Sequence, residues 1–476
     1  MRRRGPISDF LQLRVAGAPA KGLTAWLTAA LRDAIATGRL TPGAGLPPTR
    51  VLAGELGVSR GVVVQAYQRL ADEGLVTART GAGSMVERRP VGTPGTRSRD
   101  RRITLGVGRL PLAPDDTIDL DLSPGVPDLS AFPRAAWLRA ERAVLGRVTG
   151  SELGYGDPGG SPRLRAELVA WLGRVRGVRA EPDDVIVCAG VAQGLALLAQ
   201  VLRAEGVEEI GVEDPGSLGA RDQLAFWGMR TPGVPVDEQG LRADLLDPLR
   251  AVLITPAHQF PTGVVLSPER RRALLSWDGL IVEDDYDAEH RYDRAPVAAL
   301  QGSAPERVAY LGSVSKSLAP GMRLGWLIAP RGLQAPLLAA KHAADLGNPG
   351  LPQLVLAELL ANGDYERHLR AVRGRQRRRR DALLAALREH LPQARVTGIA
   401  AGLHVLVTFD EEIPDTFLAA TAAAHGVRLQ ALGLHRQEAG PSGLVLGYAA
   451  HPPDRLAEAA ARLGRAFSPL LRRPEP

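Results

Sequence analysis

The chain is poor in several things, and each shortage excludes something. Its 476 residues include one cysteine, Cys188. No internal disulfide can form, and a reducing compartment, the cytoplasm, is expected. No run of about 18 uncharged apolar residues occurs, so no membrane span is expected. The opening MRRRGPISDFLQLRV has a basic run without the apolar stretch of a signal peptide. There is no visible internal repeat, and no motif calls for a metal.

What the chain does have is an uneven charge. Residues 1–116 carry 18 Lys/Arg against 9 Asp/Glu, whereas the other 360 carry 41 against 43. A basic front on a near-neutral body points to an anionic partner for the front alone. Residues 88–116, RRPVGTPGTRSRDRRITLGVGRLPLAPDD, have the Pro, Gly and Arg content of a linker. The expected organisation is therefore a small unit at 1–87, a linker at 88–116 and a body at 117–476.

In the front unit, LTAWLTAALRDAIATG at 23–38 places apolar residues at helical spacing and stops at glycine. A second helix is expected at Thr49–Leu56 with Thr49 as cap, then a turn at Gly57-Val58. A third helix is expected from capping Ser59 to Glu73, with Val63, Tyr67 and Leu70 inward. Arg60, Gly61, Val64 and Gln65 are left outward, where the start of a second helix reaches base edges. LVTART-GAG-SMV reads as two short strands about a glycine tip. These pieces, with GRLTPGAGLP and AYQRLADEGLV, resemble the winged helix-turn-helix of GntR-type transcription factors. The resemblance implies that Arg50, Ser59, Arg60 and the wing at Gly81 touch a double-stranded DNA operator. Gly61 stands where many relatives have a polar side chain, so one base contact would be missing.

The body alternates helical and strand patterns. PRLRAELVAWLGRVRG and AQGLALLAQVLRAEG read as helices; DVIVCAG, IGVEDPG, AVLITP, LIVEDDYD and RVAYLGS read as strands. Such alternation argues for an α/β fold with a mainly parallel sheet covered on both faces. In YLGSVSKSLAPGMRLGW, Lys316 stands among small residues and Arg323 follows seven positions later. A lysine so placed can form an imine with an aldehyde. Ser313, Ser315 and Arg323 suit a phosphate. Asp284 in LIVEDDYD offers a carboxylate to a pyridine nitrogen, and Tyr286 a hydroxyl to a phenolic oxygen. Together these residues suit pyridoxal 5'-phosphate.

From about Asp119 the chain resembles fold type I aminotransferases, through LGYGDPGGSPRLR, CAGVAQGLALL, VEDPGS, TPAHQFPTG, EDDYD and SVSKS. The resemblance implies Lys316 as the Schiff-base lysine and Asp284 and Tyr286 on the ring. Phosphate would lie on the amides of Val191 and Ala192 and on Ser313 and Arg323. Tyr155 would reach the phosphate of a neighbouring subunit in a homodimer. His258 would either touch a ligand or fill a polar pocket. Three residues depart from that family: Ser217 for a stacking aromatic, Phe260 for an asparagine, and Val445 for a carboxylate-gripping arginine that Arg436 could replace. The layout of head, linker and body resembles MocR-type regulators. It implies a transcription factor that senses pyridoxal phosphate or an amine reacting with it, with vitamin B6 synthesis favoured over amine utilisation. The alternatives are a working aminotransferase with an accessory DNA-binding head, or a dimerising body without cofactor. The six arginines of RGRQRRRRDALLAAL at 373–387 are expected on a solvated helix face, and Cys188 in a core strand.

Overall fold

The computed structural model describes residues 11, 13, 22–79, 83–87, 117–293 and 297–471. The linker expected at 88–116 and the wing tip Gly81 lie outside the described residues. The chain divides into two compact units, residues 1–103 and 104–476.

In the first unit three helices, Leu23–Ala36, Thr49–Leu56 and Arg60–Asp72, precede an antiparallel pair of strands, Val76–Arg79 and Gly83–Val86. Leu27, Leu31, Ala34 and Ile35 recur at helical spacing and are buried against Leu52, Leu56, Val63, Tyr67 and Leu70. Tyr67 also donates its hydroxyl to the Pro47 carbonyl at 2.9 Å, which ties the third helix to the approach of the second. The second helix ends at Gly57, whose φ of 65° makes the left-handed turn into the third. Thr49 is not the cap of the second helix: Pro48 holds that position, and Thr49 is already helical. Proline fixes φ there, here at −53°, so the helix needs no side-chain cap to start. Ser59 does precede the third helix, but its side chain makes no capping bond.

The second unit is built on an eight-stranded sheet. In spatial order the strands are Val185–Cys188, Gly325–Ile328, Val308–Ser313, Leu280–Asp285, Ala251–Ile254, Gly211–Asp214, Gly233–Asp237 and Gly240–Leu241. The five strands from Val308–Ser313 to Gly233–Asp237 run parallel. Gly325–Ile328 runs against both neighbours. Apolar clusters cover both faces, one around Trp171, Tyr310 and Trp326, the other around Leu195, Leu253 and Leu311. Burial on both faces explains why these strands read as unbroken apolar runs.

A four-stranded antiparallel sheet, ordered Arg395–Thr397, His404–Thr408, Leu444–Gly447 and Gln430–Ala431, forms the C-terminal part. The helices Asp364–His390 and Pro453–Phe467 pack together beside it. The long helix carries the arginine run, which is not a solvated face throughout. Arg379 and Arg375 pair with buried Asp128 at 2.9 and 2.8 Å, and Arg373 donates to the Glu289 carbonyl at 3.1 Å. Arg377 and Arg378 alone of the six are exposed. A buried carboxylate must find a cation; Asp128 comes from the loop before the body's first helices, and the long helix supplies the arginines.

Candidate functional site

The parallel strands end on one side of the sheet, where α/β proteins place ligands. A cleft of about 320 Å³ opens there, lined by Pro124, Gly125, Val191, Ala192, Ser217, Thr255, Phe260, Asp284, Tyr286, Ser313, Ser315, Lys316 and Arg323. Eight of the expected cofactor-site residues, and the two departures Ser217 and Phe260, therefore meet in one hollow. A larger hollow of about 500 Å³, lined by Arg179, Asp184, Gln301 and Arg331, contains none of them.

Strand ends position each group. Asp284 is paired with Leu311 across the parallel ladder, near the end of its strand. Ser313 ends the neighbouring strand, and its hydroxyl accepts the Ser315 amide at 3.3 Å, shaping the loop that carries Lys316. Arg323 follows in the left-handed region, φ 49°, and its guanidinium donates to the Ala189 carbonyl. Gly190, φ 82°, caps the helix Val191–Ala204, and a Cβ on it would come 3.2 Å from the Arg323 guanidinium. So close an approach of arginine to a helix N-terminus makes an anion cradle from one guanidinium and the free amides of the first helical turn.

Burial sets the electrostatics. Asp284 has an Oδ1 with no hydrogen-bond partner among the described residues. Burial first, then the charges of Asp285 and Asp287, raise its pKa to about 7, against the pull of Lys316. Lys316 is shifted down by burial, opposed by Asp287 and Asp284. Its Nζ donates to the carbonyl of Gly125. Tyr286 is pushed well above the usual phenol value, by burial first and then by Asp287 and Asp284. It is therefore a hydroxyl donor, and its oxygen lies 3.1 Å from the His258 carbonyl and 3.2 Å from His258 Nδ1.

Two expected residues stand elsewhere. His258 is buried behind Tyr286 and does not line the cleft. It forms a trio with Asp287 and His404 whose donor atoms lie within 4.8 Å of one another. Tyr155 is 87% exposed and also outside the cleft. The departures are accounted for as well. Ser217 lines the cleft and caps the helix Leu218–Phe226, accepting the Ala220 amide at 3.2 Å. Val445 is buried with Leu406 and Leu432 against Phe260, and Arg436 folds toward Gly440 rather than the cleft. Among the described residues lining the cleft, Arg323 is the single guanidinium. Sequence reading missed Gly125 and Thr255; the turn-forming SPGVPD was the available signal for the first.

On the first unit, Arg50, Ser59, Arg60, Gly61, Val64 and Gln65 are all exposed, at the second and third helices. Arg60 Nε lies 3.4 Å from Thr49 Oγ1, joining the two helices across the turn.

Comparison with known proteins matches each unit to a family. Residues 23–86 match the family of bacterial regulatory proteins, gntR family. Residues 117–463 match aminotransferase class I and II. The HTH-type pyridoxine biosynthesis transcriptional regulator PdxR of Corynebacterium glutamicum is 35% identical over 455 residues, covering 93% of this chain and 95% of that one. The probable rhizopine catabolism regulatory protein MocR of Rhizobium meliloti is 33% identical over 466 residues, 92% of each.

The chain belongs to the MocR type of GntR-family regulators.

The body of this MocR-type chain also matches the solved structure of LysN, the α-aminoadipate aminotransferase of Thermus thermophilus. Identity is 29% and the TM-score 0.67, over 75% of this chain and 93% of that one. The first unit of such a regulator binds DNA. The cofactor of the aminotransferase class is pyridoxal phosphate, and the cleft fits it: an orphaned buried carboxylate, a guanidinium beside a helix N-terminus, and a buried lysine. No helix among the described residues is long and apolar enough to cross a membrane.

Proposed function

We propose that this MocR-type regulator senses pyridoxal phosphate held on Lys316 and controls vitamin B6 synthesis. When bound, the cofactor supplies an aldehyde for the lysine and a ring that draws electrons. The chain's own residues do the rest. Asp284, which lines the cleft and has an unpartnered buried Oδ1, would accept a hydrogen bond from the protonated pyridine nitrogen, and that cation would favour its charged form. Tyr286 donates to the phenolic oxygen. Val191, Ala192, Ser313, Ser315 and Arg323 hold the phosphate, the arginine through a charge-assisted fork.

One observation carries the choice of signal. The cleft has one guanidinium, beside the helix N-terminus, so with Lys316 holding the cofactor no second arginine is left among the described lining residues to grip an amino acid's carboxylate. The cofactor is then the simplest ligand. The 35% identity to a regulator named for pyridoxine biosynthesis points the same way. A homodimer completes the reading: exposed Tyr155 and Leu153 would be covered by a second body, with Tyr155 at the partner's phosphate. Two heads on one dimer would read two half-sites through Arg50, Ser59, Arg60, Gly61 and the wing at Gly81.

The test is the affinity of the protein for DNA upstream of pyridoxal phosphate synthesis genes, with and without the cofactor, beside Lys316→Ala. A cofactor-dependent change that Lys316→Ala abolishes is expected. Equal affinity in both conditions overturns the sensor.

A further inference from the structure

Tyr286 has one hydroxyl proton and two places to put it. One is the carbonyl oxygen of His258 at 3.1 Å; the other is whatever lies in the cleft. A third neighbour is His258 Nδ1, 3.2 Å from the same oxygen. Whether that nitrogen takes the proton or gives one depends on its tautomer. Asp287 decides this. Its Oδ2 lies 2.9 Å from Nδ1, and both side chains are buried, at 2% and 1% exposure. An ionised carboxylate can only accept, so Nδ1 carries the hydrogen.

The surroundings fix the ring in place. A Cβ on Gly402 would lie 2.1 Å from His258 Cε1 and 2.7 Å from Asp287 Oδ2, so glycine alone leaves room for the pair. A Cβ on Gly263 would come within 3.4 Å of Nε2 on the other side. The groups facing the ring are Tyr286, Asp287 and His404, the last with its ring centroid 5.1 Å away and its Nε2 unpartnered among the described residues. Asp284 and Glu213 act on Tyr286 through space.

We infer that His258 is a positioning residue that aims the Tyr286 proton into the cleft. With its one hydrogen on the Nδ1 that faces Asp287 at 2.9 Å and the Tyr286 oxygen at 3.2 Å, the imidazole can only share that hydrogen between the two oxygens as a three-centre donor, and this nitrogen cannot accept from Tyr286. The tyrosine oxygen then receives a share of that hydrogen from behind, and its own proton is left to the His258 carbonyl at 3.1 Å or to an acceptor in the cleft. Phe260, which also lines the cleft, has no polar hydrogen to offer that acceptor. The inference rests on the proposed cofactor, whose phenolic oxygen would be that acceptor.

The experiment is a pH titration of the visible absorption of the loaded protein, full length. The proton shared between the phenolic oxygen and the lysine nitrogen is held more tightly when the phenolic oxygen loses a donor. Tyr286→Phe therefore sets the full upward shift of the midpoint, about one pH unit. His258→Leu is expected to move it upward by a large part of that shift. His258→Asn, whose amide N–H falls where Nδ1–H was, is expected to restore the wild-type midpoint. Asp287→Asn keeps the volume but releases the tautomer, and should shift upward too. A wild-type midpoint in both His258→Leu and Asp287→Asn overturns the inference, as does a His258→Asn shift equal to that of His258→Leu. No Lys316-dependent band in the wild type overturns the cofactor reading itself. A metal found stoichiometrically at His258, Asp287 and His404 would replace the Nδ1 hydrogen and also overturn it.

Discussion

The Nζ of Lys316 donates to the carbonyl oxygen of Gly125, a residue 191 positions earlier. Gly125 has φ +83°, and a Cβ there would come 3.0 Å from Nζ. The lysine thus rests on a stretch of backbone that only glycine can offer. Gly125→Ala should weaken cofactor binding at least tenfold and cost about 1–2 kcal/mol from the left-handed backbone alone. Absorbance titration and denaturant unfolding measure the two effects separately. An unchanged affinity would make the contact incidental.

Asp284 gives a pH dependence with a definite sign. Its pKa is raised to about 7 in the fold, so between the unfolded value near 3.9 and about 7 the folded state binds more protons. Stability from this group is present at low pH and is lost as pH rises through 7. Asp284→Asn should therefore raise the melting temperature of the cofactor-free protein at pH 8 and leave it nearly unchanged at pH 4. The same variant should bind the cofactor poorly, because the amide cannot pair with a protonated ring nitrogen. Melting curves at the two pH values check the first half.

Arg176 and Asp285 form an ion pair at 2.7 Å, both side chains within 3% of full burial, and Tyr310 donates to the same carboxylate oxygen. Removing the cation leaves a buried charge unpaired. Arg176→Met should cost about 3–5 kcal/mol in urea unfolding. It should also raise the pKa of neighbouring Glu283, already about 7 through burial and Asp285, since Arg176 opposes that shift.

Arg60 is exposed at the start of the third helix. Arg60→Ala should weaken operator binding and, if the contact is to phosphate, reduce the slope of log K against log salt by about one. If it reads a guanine, the loss should be about 1–3 kcal/mol and confined to the cognate sequence. Fluorescence anisotropy at several salt concentrations separates the two. At Gly61 an added Cβ meets only Ser59 Oγ, at 3.8 Å, so Gly61→Ser should fold normally.

Much of this was legible beforehand. The three head helices came from apolar spacing, and the site lysine, carboxylate and phosphate groups came from residue types that the chemistry needs within a few positions of a strand end. His258 was legible only as a residue that touches a ligand or fills a polar pocket, and the fold places it buried behind Tyr286, outside the cleft lining. The arginine run misled because helical spacing does not say which arginines meet a buried acid from another segment.

The sequence by itself determined the elements, the two kinds of domain and the residues able to bind an aldehyde, a ring nitrogen and a phosphate, because these depend on local spacing and side-chain chemistry. Tertiary structure alone decided that Gly125 supports Lys316, that Asp287 sets the His258 ring, and that Asp128 neutralises Arg375 and Arg379. Those pairings follow from strand order and from where loops cross the sheet end. Burial then makes each one obligatory, since a polar group removed from water must find its partner wherever the fold brings one.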